Sequence, residues 1–253
     1  MSELGSTAVE RKTAPRRPAA PFPIVGIGAS AGGLDAFRLL LRALPADSGM
    51  AYVLVQHLDP RHQSILAELL SQSTTMPVSE VKADVPVEPN RVYVIPPSQD
   101  IGVVDGILKL VPRSHAGRPH MPIDYFLRTL AEAQGSQGIG VVLSGTATDG
   151  TLGLLAIKAA GGIAFAQDPT TAQFDGMPTS AIGAGCVDFV LPPQRIAQEL
   201  ARLGRHPYMA SVAAAASSSS DTTPASEPQD TASLEKIFAL LRRGSGADFS
   251  AYK

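Results

Sequence analysis

Between residues 24 and 205 the chain alternates short apolar runs with amphipathic stretches, and this alternation constrains the fold more than any other feature. The runs include IVGIGAS at 24–30, AYVLVQ at 51–56 and GIGVVLSG at 138–145. They are continuous in Val, Ile and Leu, as in strands that are buried on both faces. Strands of this kind between helices predict an α/β fold with a doubly wound, mostly parallel sheet and helices on both faces.

One passage departs from this rhythm. Residues 90–112 contain the runs RVYVIPP, IGVVDG and ILKLV, and the last two meet at Asp105-Gly106. An Asp-Gly pair between two apolar runs is a strong hairpin signal. We therefore expect a small antiparallel hairpin excursion at residues 90–112.

The composition changes at both ends of the alternating region. Residues 1–23 are rich in Pro, Ala and Arg, which predicts a disordered N-terminal tail. Residues 206–232 are dominated by Ala and Ser, which predicts a linker. Residues 233–253 carry one amphipathic helical pattern, which cannot form a core by itself. We therefore expect one folded domain at 24–205.

Composition also bears on partners and location. The 21 Lys+Arg and 23 Asp+Glu residues give a net charge of -2, so there is no basic field to attract nucleic acid. No apolar run approaches the roughly 18–20 residues that cross a bilayer, so we expect no membrane insertion. The single cysteine, Cys186, excludes an internal disulfide framework and suits a reducing compartment. We expect a cytoplasmic protein.

The first strand ends in Gly28-x-Ser30-x-Gly32, which fits the nucleophile-elbow pattern between a strand and a helix. Such a turn lifts a serine hydroxyl to a helix N-terminus, where free N–H groups can receive an oxyanion. The segment Gly26-x-Gly28-x-x-Ala31 also fits a dinucleotide-binding fingerprint. A plain glycine-rich turn is a third interpretation. This segment alone does not decide among the three.

Two further strand ends carry side chains that complement Ser30. His57 directly follows the second strand, and a histidine is the usual base for a serine nucleophile. Asp149 follows the strand at 138–143 and has the chemistry to hold an imidazole, although it could instead cap the helix that begins near Thr151. The carboxyl ends of parallel strands share one edge, so these residues form a candidate triad.

The chain order of serine, histidine and acid differs from that of α/β-hydrolases, in which the histidine comes last. The sequence instead resembles the CheB family of protein-glutamate methylesterases, over about residues 24–203. The motifs that carry the resemblance are IGASAGG, VQHLDP, YVIPPSQD, PIDYFL, LSGTATDG, GIAFAQDP and FDGMP.

The resemblance implies that Ser30 is the nucleophile, His57 the base and Asp149 the orienting acid. It implies that the amides of Ala31 and Thr146 hold the oxyanion. Met177 would line the substrate groove. The implied activity is removal of methyl esters from glutamate side chains on the cytoplasmic helical region of methyl-accepting receptors, with glutamine deamidation in some members. No cofactor or metal is implied.

A metal site is also poorly supported by the residues themselves. His57 and His62 lack the i,i+4 spacing of ligands on one helix, and Pro60 lies between them. We therefore expect no metal at this segment.

Two motifs depart from the family pattern. Around the acid the family usually has G-M-G-x-D-G, whereas this chain has Gly-Thr-Ala-Thr-Asp-Gly at 145–150. An amide donor needs no particular side chain, so Thr146 can replace the methionine. The family's R-P-S-V-D is replaced around Met121, which removes an expected cationic group. Three nearby basic residues could replace that group, although we do not expect them to: His115, Arg118 and His120.

The last segment, FALLRRGSGADFSAYK, resembles the opening helices of CheR-type glutamate methyltransferases. The resemblance implies that residues 233–253 are the incomplete start of a CheR-like helical domain. It therefore implies a fused or adjacent CheR-like methyltransferase as a partner.

Overall fold

The computed structural model describes residues 22–58, 64–97, 99–113 and 120–205 of the protein. These residues form ten strands and six α-helices. The strands are β1 (Ile24–Ala29), β2 (Ala51–Gln56), β3 (Val78–Glu80), β4 (Val85–Pro86), β5 (Val92–Val94), β6 (Gln99–Val104), β7 (Ile107–Pro112), β8 (Gly138–Val142), β9 (Ile163–Gln167) and β10 (Phe189–Leu191). The helices are α1 (Gly33–Ala43), α2 (Leu66–Ser71), α3 (Pro122–Gln134), α4 (Thr151–Ala159), α5 (Gly176–Gly183) and α6 (Pro193–Gly204).

Seven strands form one sheet in the order β10-β9-β8-β1-β2-β5-β3. Neighbouring strands in this sheet are parallel. Every residue of β1 is buried, as expected for a central strand with both faces covered. The predicted doubly wound, mostly parallel architecture is confirmed.

Helices cover both faces of the parallel sheet and build two apolar cores. On one face, α1, α2 and α6 contribute Phe37, Leu70 and Leu200. On the other face, α3 and α4 contribute Phe126 and Leu154. Burying a side chain of this size stabilises a fold by about 1.5–3 kcal/mol, so the amphipathic pattern of the helices fixes which face each one covers.

Helix α3 approaches the middle of the sheet unusually closely. A Cβ atom on Gly28 would lie 2.2 Å from Cγ2 of Ile123, so only glycine allows α3 to rest directly on β1. This close approach brings the N-terminus of α3 beside the carboxyl ends of β1 and β8, where the candidate triad lies.

The predicted hairpin is confirmed, but its extent differs from the prediction. Strands β6 and β7 pair antiparallel around Asp105-Gly106, and β4 completes a three-stranded sheet. The run at 91–97 was expected in this excursion, and that expectation was wrong: β5 belongs to the parallel sheet, between β2 and β3. All three residues of β5 are buried, which is the pattern of an interior parallel strand.

Several expectations lie wholly or mostly outside the described residues. They concern the tail at 1–23, of which only 22 and 23 are described, the linker at 206–232 and the CheR-like segment at 233–253. His62, His115 and Arg118 also lie outside them. Cys186 is described and is buried, as expected of a small core residue. In the part of the chain that the structure describes, no helix is both long and apolar enough to span a bilayer.

Candidate active site

The three candidate triad residues follow strands that are neighbours in the sheet. Strands β1 and β2 are paired up to Ala29 and Gln56, so Ser30 and His57 are the next residues on two adjacent strands. Strand β8 pairs with β1 on its other side, and the loop after β8 leads to Asp149. The strand order therefore directs all three side chains to one edge.

The structure brings the three side chains into contact. Nδ1 of His57 lies 3.1 Å from Oγ of Ser30, and Nε2 of His57 lies 3.1 Å from Oδ2 of Asp149. Asp149 is 1% exposed, whereas the His57 side chain is 31% exposed. One imidazole thus joins an accessible hydroxyl to a buried carboxylate, an arrangement that can accept a proton from the hydroxyl and stabilise the resulting imidazolium.

The turn that carries Ser30 is held by backbone contacts. The N–H of Ser30 donates to the carbonyl of Ser144 at 2.9 Å, and the N–H of Gly33 donates to the carbonyl of Ser30 at 2.9 Å. Gly32 has a φ of 70° and caps α1, and a Cβ there would lie 2.7 Å from Oγ of Ser144. The second glycine of the elbow pattern is therefore required by both conformation and space.

Ser144 links this turn to two other loops, a role that the sequence analysis did not assign. Its N–H donates to Oε1 of Gln167 at 2.9 Å. Its hydroxyl lies 2.9 Å from the carbonyl oxygen of Ala31 and accepts from the N–H of Phe174 at 3.0 Å. The residue is 1% exposed. It appeared in the LSGTATDG motif, but its contacts are non-local and leave no signal in that motif.

The two amides expected to hold an oxyanion have no acceptor among the described residues. Ala31 follows Ser30 at the start of the turn, and Thr146 is exposed in the loop after β8. Among the described residues, neither the N–H of Ala31 nor that of Thr146 donates a hydrogen bond. The N–H of Gly145, the residue before Thr146, is not available to an oxyanion, because it donates to the carbonyl of Phe174 at 2.9 Å. These free donors meet the chemical requirement of an oxyanion site.

Asp149 does not cap its own helix, so that alternative is wrong. The cap of α4 is Gly150, with no side-chain hydrogen bond. The Asp149 carboxylate instead accepts from the N–H groups of Ile123 at 3.1 Å and Asp124 at 2.8 Å, in the first turn of α3. A helix N-terminus stabilises a carboxylate, and these bonds fix the side chain that faces His57.

The Asp124 carboxylate makes the corresponding contacts with the start of α4. Its Oδ1 accepts from the N–H groups of Gly150 at 2.9 Å and Gly153 at 2.8 Å, at the start of α4. Asp149, just before α4, thus caps α3, and Asp124, in the first turn of α3, caps α4. Burial raises the pKa of the Asp124 carboxyl, and the charge of Asp149 raises it further, while the two N–H donors oppose the shift. Asp124 lies in the PIDYFL motif, but nothing in that motif indicates this exchange.

Met177 does not have the accessibility expected of a groove residue. Its side chain is fully buried, and its Sδ would lie 2.1 Å from a Cβ on Gly145. It packs beneath the loop after β8, and we infer that it supports this loop.

The loop before Asp149 contains one backbone conformation that glycine favours. Ala147 has a φ of 65°. In the family pattern G-M-G-x-D-G this position is glycine, so the departure places a side chain where the left-handed conformation costs about 1–2 kcal/mol.

The fold and the contacts define an α/β protein of the serine-hydrolase type, in which the order is serine, histidine and acid. The model of the family described as CheB methylesterase matches residues 25–200. The chain therefore belongs to the CheB methylesterase family. This membership favours the hydrolase interpretation of the first strand end over the dinucleotide one. A dinucleotide site also needs an acidic residue at the end of the second strand, whereas β2 ends in Gln56.

Individual relatives agree with this assignment. The protein-glutamate methylesterase/protein-glutamine glutaminase 2 of Burkholderia lata is 36% identical over 206 residues, which cover 76% of this chain and 59% of the relative. The corresponding protein 1 of Carboxydothermus hydrogenoformans is 35% identical, over 70% of this chain and 54% of the relative. The chain thus spans somewhat more than half the length of these relatives.

A solved structure has the same fold. The crystal structure of the Thermotoga maritima CheB methylesterase catalytic domain matches with a TM-score of 0.67 and 32% sequence identity. The match covers 72% of this chain and 98% of that domain.

Within the described ranges, no three His, Cys, Asp or Glu side chains are grouped so that they could hold a metal ion.

Proposed function

We propose that this protein is a serine hydrolase that removes methyl esters from glutamate side chains, a protein-glutamate methylesterase. The observation that carries the proposal is the pair of 3.1 Å contacts that join Ser30, His57 and Asp149. In this role Ser30 is the nucleophile, His57 the general base and Asp149 the residue that orients the imidazole.

In the first half of the reaction, Ser30 Oγ attacks the δ-carbonyl carbon of the ester while Nδ1 of His57 takes the hydroxyl proton. The carbonyl oxygen becomes an oxyanion that the amides of Ala31 and Thr146 stabilise. Each such donor typically contributes about 10²–10³-fold in rate. Collapse breaks the bond to methoxide, which leaves as methanol with the proton from His57, and an acyl-serine remains.

In the second half, water attacks the acyl-serine and His57 accepts the proton of that water. Collapse of the second tetrahedral intermediate returns the proton to Ser30 and releases the glutamate side chain. The sum is one ester and one water converted into one carboxylic acid and one methanol. Asp149 keeps its charge throughout and stabilises the imidazolium in both halves.

The same site has the groups needed to hydrolyse the side-chain amide of glutamine. An amide passes through the same tetrahedral oxyanion, and His57 would protonate ammonia instead of methanol. The Burkholderia lata and Carboxydothermus hydrogenoformans relatives are both named protein-glutamine glutaminase as well as methylesterase, which supports this second activity.

We further propose that the substrate lies on the cytoplasmic helical region of methyl-accepting receptors and that the protein acts in the cytoplasm. The resemblance of residues 233–253 to CheR-type proteins adds a CheR-like methyltransferase as a fused or adjacent partner. Such an enzyme would make the esters that this one removes, so the two activities would be opposed on one substrate.

The proposal is tested by methanol release from methyl-esterified receptor peptides. Ser30→Ala should lower the rate by at least about 10³-fold, because the nucleophile is gone. The matched control is Ser79→Ala, which removes an exposed hydroxyl on β3 and should keep the wild-type rate. Circular dichroism should show both variants folded.

Two results would contradict the proposal. Equal methanol release by wild type and Ser30→Ala would remove Ser30 from the mechanism. A folded wild type that binds receptor peptides but releases neither methanol nor ammonia would favour the alternative function, a non-catalytic receptor-binding module of a signalling protein.

A further inference from the structure

A second histidine–aspartate pair lies against the imidazole of His57. Nε2 of His120 is 2.6 Å from Oδ1 of Asp100. The ring of His120 meets the ring of His57 with centroids 6.3 Å apart and planes inclined by 76°. This is the edge-to-face arrangement that aromatic rings prefer. The candidate base is thus packed against a ring that is itself held in place.

The pair is partly sheltered from solvent. The Asp100 side chain is 16% exposed and the His120 side chain 29% exposed. A short contact between a carboxylate and an imidazole is among the stronger hydrogen bonds, and partial burial reduces its competition with water. His120 is therefore held more firmly than a free surface histidine.

Helix α3 connects both members of the pair to the candidate triad. His120 lies two residues before the helix, and Asp100 belongs to β6, whose Val103 N–H donates to Oγ1 of Thr129 on α3 at 3.1 Å. The first turn of the same helix holds Asp149. One helix thus places both the acid that His57 contacts and the ring that flanks His57.

A neighbouring ring matters for His57 because its imidazole must keep one orientation to make two contacts. Nδ1 must face Ser30 while Nε2 faces Asp149, and a ring rotation breaks both contacts. The side chain is 31% exposed, so the surrounding core does not enclose the ring, and a neighbouring ring adds restraint to the two hydrogen bonds. Misplacing a reacting group by about 1 Å can lower a rate by about 10²-fold, so restraint of the ring matters.

We propose that His120, held by Asp100, is a positioning residue that keeps the His57 imidazole in contact with Ser30 and Asp149 at the same time. It acts through His57 and not through substrate. The inference rests on the proposed methylesterase function for its kinetic consequences, but its structural consequence can be measured without turnover.

The kinetic test compares His120→Ala with His120→Phe in methanol release. His120→Ala should lower kcat by about tenfold and leave KM within about twofold, because substrate contacts are unchanged. His120→Phe retains a ring against His57 and should recover most of the lost kcat. The matched control is Lys109→Ala, which breaks the exposed Lys109–Asp84 pair of the same small sheet and should keep the wild-type kcat.

The structural test is the ¹⁵N spectrum of the imidazole nitrogens of His57 at fixed pH. In His120→Ala these resonances should move toward those of a freely rotating histidine, and His120→Phe should keep them near wild-type positions. This readout requires no substrate. If wild type releases no methanol, the proposed function fails, and this spectrum alone decides the inference.

Three results would overturn the inference. The first is a His120→Ala variant with wild-type kcat. The second is a rise in KM at constant kcat, which would make His120 a substrate contact. The third is a His57 spectrum that His120→Ala leaves unchanged.

Discussion

The two sheets of this molecule reach the candidate active site in different ways. The parallel sheet places Ser30, His57 and Asp149 after the ends of neighbouring strands. The antiparallel sheet contributes no member of the candidate triad. It approaches the base from the side, through the contact of Asp100 with His120 and through Arg113, whose Nη2 donates to the carbonyl of Leu58 at 3.2 Å. Backbone pairing in the parallel sheet thus brings the reactive groups together, and side-chain contacts from the antiparallel sheet position one of them, His57.

The difference follows from how each contact is fixed. Adjacent parallel strands are held by a ladder of buried hydrogen bonds, so the position of a residue at a strand end is set by the whole sheet. The contacts from the antiparallel sheet depend on single, partly exposed side chains. We therefore expect substitutions of the triad residues after the parallel strands to remove activity, and loss of the side-chain contacts that the antiparallel sheet makes beside His57 to reduce it.

The largest expected effect is that of His57→Ala at the parallel edge. Without the imidazole, Ser30 has no group to accept its proton, so kcat for methanol release should fall by at least about 10³-fold. The matched change is Arg113→Ala, directly after β7 of the antiparallel sheet. It removes the contact to the Leu58 carbonyl and should lower kcat by less than about tenfold. Equal losses in the two variants would contradict the comparison.

The next effect concerns stability, and Asp124→Ala should show it. This change leaves the N–H groups of Gly150 and Gly153 without their acceptor. A buried unsatisfied donor costs about 1–3 kcal/mol, so we expect a loss of about 2 kcal/mol in the free energy of unfolding by urea. On the antiparallel sheet, Lys109→Ala breaks the exposed ion pair with Asp84 and should leave the urea midpoint unchanged. A wild-type midpoint in Asp124→Ala would show that the exchange between α3 and α4 is not stabilising.

The charge of the same side chain gives a pH-dependent prediction. The native-state pKa of Asp124 is raised, chiefly by burial. Its contribution to stability is therefore complete below the unfolded-state pKa of about 3.9 and is lost as the pH rises through the raised native value. Asp124→Asn keeps an acceptor oxygen but cannot ionise, so its stability relative to wild type should increase from about pH 4 to pH 7. Urea unfolding across this range measures the difference, and a difference that is constant with pH would contradict it.

The carboxyl ends of the parallel strands, where the triad lies, were also easier to predict from the sequence than the contacts of the antiparallel sheet. Ser30, His57 and Asp149 each follow an apolar run, and parallel strands share their carboxyl edge, so the sequence was sufficient to predict that they meet. The contacts that orient them were not predictable in this way. The hydrogen bonds around Asp124 and Asp149 and the pair of Asp100 with His120 join residues 20–29 positions apart, and neither leaves a local pattern.

The same distinction explains the misassigned strand. The run at 91–97 and the hairpin that follows it are both apolar, and periodicity does not reveal which sheet a short strand joins. What separates the two strands is burial, which is complete in Val92–Val94 of β5 and only partial in β7, and this difference is visible only in the structure. The fold class was therefore predictable, whereas the extent of the antiparallel sheet required the structure.

The smallest expected effect compares one backbone position in each region. Ala147, in the loop before Asp149, and Asp105, in the hairpin turn, both have positive φ, at 65° and 50°. Alanine loses about 1–2 kcal/mol in this conformation, whereas Asp before Gly is a preferred pair for such a hairpin turn. Ala147→Gly relieves the strain but adds entropy to the unfolded chain, so the net gain should be about 0.5–1 kcal/mol. Thermal unfolding should show a rise in Tm of about 1–4 °C.

Asp105→Gly is the control for this gain, because it makes the same kind of change where no strain is expected. Its turn already contains Gly106 at a φ of 74°, and the added glycine mainly increases the entropy of the unfolded chain. We therefore expect Tm to stay constant or fall in Asp105→Gly. A larger gain from Asp105→Gly than from Ala147→Gly would place the strain in the antiparallel turn. The loop that carries Asp149 would then be relaxed despite its departure from the family pattern.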